Sequence, residues 1–430
     1  MTIEELYKIY EQYPIVTTDS RKTPEGSIFF ALKGDNFDGN KFASNAIAQG
    51  SAYAVVDDPS VAVSDKFIVV DNVLQTLQQL AAYHRIALGI PVIGITGTNG
   101  KTTTKELVSA VLSTKFKVWH TQGNLNNHIG VPLTLLSLTK DIQIAVVEMG
   151  ASHPGEIKTL VNIAAPNAGL ITNVGRAHLA GFGSFEGVIK TKCELYDFLR
   201  SNDGQVFVNL DNEILSEKSK GMNRIGYGIN NHSGLAWGEI TSNSPFLTLK
   251  LCFMGNSKTY NVPTHFIGAY NAENIIAAAC LGTYFGIEPE LIVSAIENYR
   301  PTNSRSQLKK TDKNSIIIDA YNANPTSMTA SIDNFHELNM PNKMLILGEM
   351  RELGSESVKE HQKIIDLINK YGLTDVRLIG DEFNAVDTVF PRYKDIESLI
   401  KELKDNPISG KTILVKGSNG NHLDRIIEWL

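Results

Sequence analysis

The stretch PVIGITGTNGKTTTKELVSAVLST (91–114) constrains the fold more than any other part of the chain. An apolar run, PVIGITG (91–97), meets a glycine-rich turn, and KTTTKELVSAVLST (101–114) follows with apolar residues at helical spacing. A continuous apolar strand of this kind belongs in a parallel sheet covered by helices on both faces. The turn offers backbone N–H groups and the positive end of a helix dipole to an anion. Lys101 adds a cation, and the Thr102 hydroxyl stands where phosphate-binding loops hold Mg²⁺. The spacing is unusual, however. The standard loop G-x-x-x-x-G-K-[ST] would need glycine at position 95, which is Ile95, and the glycines stand at Gly94, Gly97 and Gly100. Gly97, Thr98, Asn99, Gly100, Lys101, Thr102 and Thr103 are the expected contacts to a nucleotide triphosphate.

The same alternation continues through much of the chain. IQIAVVEMG (142–150) and NAGLITNVG (167–175) read as further buried strands, and AENIIAAACLGTYFG (272–286) as a helix. Residues 225–263 are rich in Gly, Ser, Asn and Thr and contain FLTLKLCF (246–253), the pattern of an antiparallel insertion or sheet edge. Before residue 89, GSIFFAL (26–32), SAYAVVD (51–57) and KFIVVD (66–71) read as short strands, and LQQLAAYHRIAL (77–88) as a helix. After NYRPTNSRSQ (298–307) the rhythm restarts with SIIIDAY (315–321), KMLILGEM (343–350), DVRLIG (375–380) and KTILVKG (411–417). A chain of 430 residues has room for roughly three domains. The breaks divide it into residues 1–88, 89–299 and 300–430, all α/β.

Charge and cysteine content narrow the function. A formal charge of −6 argues against nucleic acid as the main partner, because phosphate backbones need a basic face. Three widely spaced cysteines, Cys193, Cys252 and Cys280, suit a reducing compartment better than a disulfide framework. The start, MTIEELYKIYEQYP, has no apolar signal core, and no run approaches the ~18 apolar residues of a membrane span. The expectation is a cytoplasmic protein, with monomer as the default.

Two further features bear on chemistry. Glu148 closes the strand of IQIAVVEMG at the end where doubly wound sheets bind ligands, and a carboxylate beside a triphosphate suits a hard cation. A solvated strand-end glutamate is the bland alternative. In GAYNAENIIAAA (268–279), Asn271 and Asn274 share a helix face, and their carboxamides could meet an adenine edge or simply cap the helix.

Taken together, G-x-x-G-T-N-G-K-T (94–102), VVEMGAS (146–152), NVGRAHLAGFGSFEGVIKTKCELYD (173–197), GAYNAENIIAAA, DAYNANPTSM (319–328), LGEMRELG (347–354), TDSRKTPEGSIFFALKGDNFDGNKF (18–42) and TILVKGS (412–418) resemble the Mur ligase family. These are ATP-dependent, amide-forming enzymes of peptidoglycan synthesis. The match runs from Asp19 to Ser418 in the expected order. It implies an α/β fold with a small N-terminal domain binding a UDP-sugar substrate, a central, mostly parallel-sheet ATPase domain and a C-terminal Rossmann-like domain. It also implies ATP and Mg²⁺, with Lys101, Glu148, His178 and Lys192 as catalytic residues. Thr102, Glu148 and His178 would hold the metal, and Lys192 would carry a carbamate. Asn271, Asn274, Arg305 and Asp319 would contact ATP. Ser20, Arg21, Lys33, Asp38 and Gly39 would hold the UDP end of the substrate, while Asn322, Asn324, Lys416 and Ser418 would face the cleft from the third domain. The chain departs from the pattern at Tyr270 and at Asn40, both of which are commonly histidine.

DAYNANP and LGEMRELG resemble the branch of the family that joins UDP-N-acetylmuramoyl-tripeptide to D-alanyl-D-alanine. The sister branch that adds the third, diamino, residue is the nearest alternative, and its acidic-Asn-Pro-Arg motif is missing; DNPI (405–408) lacks the arginine. Folylpolyglutamate synthetase has no counterpart of the N-terminal domain. A phosphate-loop switch ATPase would leave the outer two domains without a role.

Overall fold

Buried β-branched runs supply the strands of the computed structural model, which describes residues 1–301 and 305–430. Three α/β domains follow one another along the chain. The first is built on four parallel strands in the order Val16–Thr17, Ile28–Phe30, Tyr53–Val56, Phe67–Val69. A short antiparallel pair, Lys33–Gly34 with Phe37–Asp38, stands beside them. The following helix, Val73–Leu88, begins four residues before the sequence pattern suggests, because the Asn72 side chain accepts from the Gln75 N–H and caps it.

The central sheet has nine strands. From one edge it runs Val118–His120, Ile144–Glu148, Val92–Thr96, Ala168–Ile171, Gln205–Asn209, Arg224–Ile229 and Ala236–Asn243, every neighbour parallel. Leu247–Phe253 and Tyr260–Pro263 then extend it antiparallel. The Ser/Asn-rich segment is therefore an edge of this sheet. Chain order reverses about Val92–Thr96, with Ile144–Glu148 on one side and Ala168–Ile171 on the other, so a crevice opens at the carboxyl ends of these strands.

The third domain is a six-stranded sheet in the order Gln307–Lys310, Ser315–Asp319, Thr412–Lys416, Lys343–Gly348, Val376–Ile379, Arg392–Tyr393, parallel except at its first edge. Asp319 and Lys416 are register partners at the carboxyl ends of adjacent strands.

Packing joins the domains unequally. One apolar core runs continuously from Leu6, Tyr10 and Phe30 to Val131, Leu135 and Val147, so the first two domains share an interior. The Tyr10 hydroxyl donates across that seam to the Leu136 carbonyl (2.6 Å), and His84 meets the Leu138 carbonyl (3.0 Å). The third domain has its own cores, into which the central domain sends Ile267, with Phe246 packed beside it. No helix among the described residues is long and apolar enough to cross a membrane.

Candidate active site at the interdomain cavity

The odd glycine spacing has a packing cause. Gly97 lies against the strand end that follows Ala168–Ile171, where an added Cβ would come within 2.0 Å of the Thr172 hydroxyl. That segment then braces the loop: Thr98 N–H donates to the Asn173 carbonyl (2.9 Å), Asn99 N–H to Asn173 Oδ1 (3.0 Å), and Thr172 Oγ1 to the Asn99 carbonyl (2.6 Å). Gly100 takes a left-handed conformation (φ +79°) as it opens helix Lys101–Leu112, and a Cβ there would meet Asn274 Oδ1 at 2.5 Å. The glycines stand where the loop is pressed against its supports.

Lys101 Nζ turns back on the loop and donates to the Gly97 (2.8 Å) and Thr98 (3.0 Å) carbonyls. Burial and the nearby Arg305 guanidinium pull its ammonium below the usual lysine range, against the Glu148 carboxylate. Glu148 ends its strand with Oε1 accepting from Asn126 Nδ2 (2.8 Å), while its buried Oε2 has no partner among the described residues. The His178 backbone is left-handed (φ +50°), and its Nδ1 pairs with Glu352 of the third domain. Burial lowers the imidazole pKa despite that carboxylate, which favours the neutral ring.

Lys192 is buried on helix Phe185–Ser201, its Nζ donating to the Ala151 carbonyl (3.2 Å) with the Phe182 ring 5.4 Å away. Burial, reinforced by the Lys101 ammonium, pulls it down to about 7. Near neutral pH a large share of this amine is therefore unprotonated and nucleophilic.

The third domain closes the other side. Asp319 Oδ2 accepts from Lys416 Nζ (2.7 Å) and Ser331 Oγ (2.7 Å). Burial alone would raise this carboxyl, but the Lys416 ammonium and the hydrogen bonds hold it below the usual range. The Arg305 guanidinium stacks over the Tyr321 ring at 3.8 Å, and its buried Nε has no partner among the described residues. Asn324 caps helix Pro325–Glu337 and reaches across to the phosphate loop, its Nδ2 donating to Asn99 Oδ1 (2.8 Å). Nearby, the Arg176 N–H donates to Thr326 Oγ1 (3.1 Å).

These groups surround one cavity of about 970 Å³. Of the residues singled out from sequence, Thr98, Asn99, Gly100, Lys101, Thr102, Thr103, Glu148, His178, Asn271, Asn274, Arg305, Asp319, Asn322 and Lys416 line it. Gly97, Lys192, Asn324 and Ser418 do not line it; Ser418 Oγ accepts from the Arg351 N–H (3.3 Å). Ser20, Arg21, Lys33, Asp38 and Gly39 do not line it. Arg21 is exposed and forks onto Asp19, Lys33 pairs with Asp57 (2.8 Å), and Asp38 accepts from the Asn40 backbone (3.1 Å). Asn40 is buried between Asp38 and Asp57.

Asn271 and Asn274 line the cavity, and their carboxamides also hold the structure beneath the loop together. Each carboxamide is bonded inside the protein, because helix Ala272–Tyr284 lies directly beneath the loop. Thr104 Oγ1 donates to Asn274 Oδ1 (3.0 Å), Asn274 Nδ2 to Asn271 Oδ1 (3.2 Å), and Asn271 Nδ2 to the Ile267 carbonyl (2.9 Å). Sequence reasoning also missed Asn126, Tyr321, Thr326 and Glu352. Glu352 sits within LGEMRELG, a motif that points to it. Tyr321 and Thr326 likewise sit within DAYNANPTSM, and only Asn126 lies outside the motifs quoted.

Comparison with known proteins bears on the family and the fold. Three family models match in order: the Mur ligase family catalytic domain over residues 12–85, the Mur ligase middle domain over 95–282, and the Mur ligase glutamate ligase domain over 304–419. The chain is 37% identical to the UDP-N-acetylmuramoyl-tripeptide--D-alanyl-D-alanine ligase of Bacillus subtilis, covering 98% of this chain and 94% of that protein. It is 34% identical to the enzyme of the same name from Escherichia coli, over 96% and 93%. Among solved structures, MurF from Acinetobacter baumannii superposes with a TM-score of 0.84 at 30% identity, over 96% of this chain and 92% of that one. MurF ligase from Thermotoga maritima in complex with ADP gives 0.85 at 26% identity, over 96% of both. With the three domain models in sequence and relatives matched along nearly its whole length, the chain belongs to the Mur ligase family.

Proposed function

We propose that this protein joins the carboxylate of UDP-N-acetylmuramoyl-tripeptide to the amine of D-alanyl-D-alanine, converting ATP to ADP and phosphate. The observation that carries this reading is a single cavity walled by a phosphate loop on one domain and by Arg305, Asp319 and Lys416 on another. With the chain divided into 1–88, 89–299 and 300–430, the first part would hold the UDP end, the second the triphosphate and the third the incoming dipeptide.

A carboxylate is a poor acyl electrophile because its leaving group would be oxide. Moving the γ-phosphoryl group onto it gives an acyl phosphate. The neutral amine adds to the carbonyl, the tetrahedral centre collapses, and phosphate leaves. Fixed positive charge must meet the phosphoryl group as it transfers. Lys101 supplies one such group by releasing the Gly97 and Thr98 carbonyls, and Arg305 another through its unpartnered Nε. Asp319, held ionised by Lys416, suits the ribose hydroxyls. Asn322, Asn324 and Ser418 suit the dipeptide. Ser20, Arg21, Lys33, Asp38 and Gly39 are assigned to the UDP end, outside the cavity.

The donor set fits Mg²⁺. Glu148 Oε2 is buried without a partner among the described residues, and Thr102 and His178 line the same cavity. An ion held there would keep waters and phosphate oxygens as its remaining ligands. When bound, the ion would neutralise charge on the phosphate oxygens. Lys192, with its amine pulled down to about 7, is suited to carry a carbamate, which would offer anionic oxygens to the metal or its waters.

The test is direct. Purified protein receives ATP, UDP-N-acetylmuramoyl-tripeptide and D-alanyl-D-alanine, and mass spectrometry reads the product. The expected result is the pentapeptide, with one phosphate released per bond and none when either the tripeptide substrate or the dipeptide is omitted. Formation of a tripeptide product from the dipeptide precursor and a free diamino acid would transfer the assignment to the sister branch.

A further inference from the structure

Tyr270 lines the cavity and has no part in the chemistry above. It sits on the short turn Ala269–Asn271, immediately before the helix that supports the phosphate loop. Its hydroxyl lies 2.8 Å from Ser306 Oγ, across the junction with the third domain. Burial and the Asp319 carboxylate both push the phenol up, so the group stays protonated and able to donate. Ser306 has a left-handed backbone (φ +52°), a conformation that a non-glycine residue keeps only when its surroundings impose it.

The residue before Ser306 is Arg305. Stacking on Tyr321 fixes the plane of its guanidinium, but a cation over a ring face can slide and turn within that plane. The stack alone therefore leaves open where the buried, unpartnered Nε points. A tether at the adjacent residue removes that freedom. We propose that Tyr270 is a positioning residue for Arg305, acting through Ser306 to fix where the guanidinium meets the nucleotide's phosphate. This inference rests on the ligase reading of the site. It adds a coupling in which the helix that props up the phosphate loop also sets the arginine facing it, so both phosphate contacts share one support.

The experiment is a double-mutant cycle in the full chain using Tyr270→Phe, Ser306→Ala and the pair, with melting curves to check folding. Loss of one buried hydrogen bond predicts a roughly three- to tenfold fall in kcat/KM for ATP in each single variant. The pair should be no worse than either alone, with the KM for D-alanyl-D-alanine unchanged. Arg305→Lys should cost less in the Tyr270→Phe background than in the parent. ADP affinity, measured calorimetrically on the same variants, should show the same cycle and requires no turnover. If the parent makes no amide bond, the ligase reading fails, and the ADP cycle still decides the role of Tyr270. If Tyr270→Phe does not fold, Ser306→Ala with and without Arg305→Lys supplies the comparison. Additive losses, equal losses across all three substrates, or a Tyr270→Phe enzyme indistinguishable from the parent would each overturn the proposal.

Discussion

At the scale of single residues, the site is defined by groups whose needs the protein leaves unmet. Glu148 Oε2 and Arg305 Nε are buried without partners among the described residues, an arrangement that costs stability unless a ligand completes it. Lys192 makes the same point through its proton. Its folded pKa of about 7 lies below the ordinary lysine value of 10.5, so between those limits the unfolded chain binds the extra proton. Native stability from this group therefore rises with pH across that window, and below about 7 its full burial cost is felt. In CO₂-free buffer, Lys192→Met should melt higher than the parent near pH 7, by roughly 2–4 °C per kcal/mol relieved. The gap should narrow as the pH approaches about 10, and ligation should be lost. A gap that stays flat across that range would mean that the lysine is not held unprotonated. Little of this was legible in sequence: Lys190 and Lys192 lie two apart on the same helix, and only resemblance chose between them. The choice is physical as well, since Lys190 is exposed and Lys192 is buried.

At the scale of elements, the strand–turn–helix of residues 91–114 could be read directly because its signals are local: an apolar run, a glycine turn and a helical period. The same holds for the strands ending at Glu148 and Asp319. What supports the turn was not legible. Asn173, Thr172 and Asn274 reach it from strand and helix ends 73 to 170 residues away, where the partner is chosen by sheet order. Helix Lys101–Leu112 also buries Lys105, whose Nζ donates to the Thr121 carbonyl (2.6 Å), at a position that composition would assign to solvent. Gly100→Ala tests the turn. The left-handed backbone should cost about 1–3 kcal/mol, and the new Cβ meets Asn274 Oδ1, so nucleotide affinity should fall sharply in a titration. Adding Asn274→Ala should relieve the contact but not the backbone strain, giving partial recovery. Parent-like affinity in Gly100→Ala would refute this account of the glycine spacing.

At the scale of the whole molecule, the first two domains share one apolar interior while the third meets them mainly through polar side chains. Asn99 bonds Asn324, Arg176 bonds Thr326, His178 pairs with Glu352, and Asn243 Nδ2 donates to Asn334 Oδ1 (2.6 Å). Residues on both sides of that junction line the cavity, so a fragment ending near residue 300 should keep the loop but lose Arg305, Asp319 and Lys416. We expect it to bind ATP weakly by calorimetry and to form no amide bond; robust ligation by the fragment would remove the need for closure. The principal apolar link is Ile267, held in the third domain's core. A joint made of a small greasy pin, Ile267 with Phe246 beside it, and a ring of wet latches opens by trading each latch for water of similar strength. Neither posture then holds a large advantage, and the molecules in the cleft decide how long the lid stays shut around an intermediate that water would destroy.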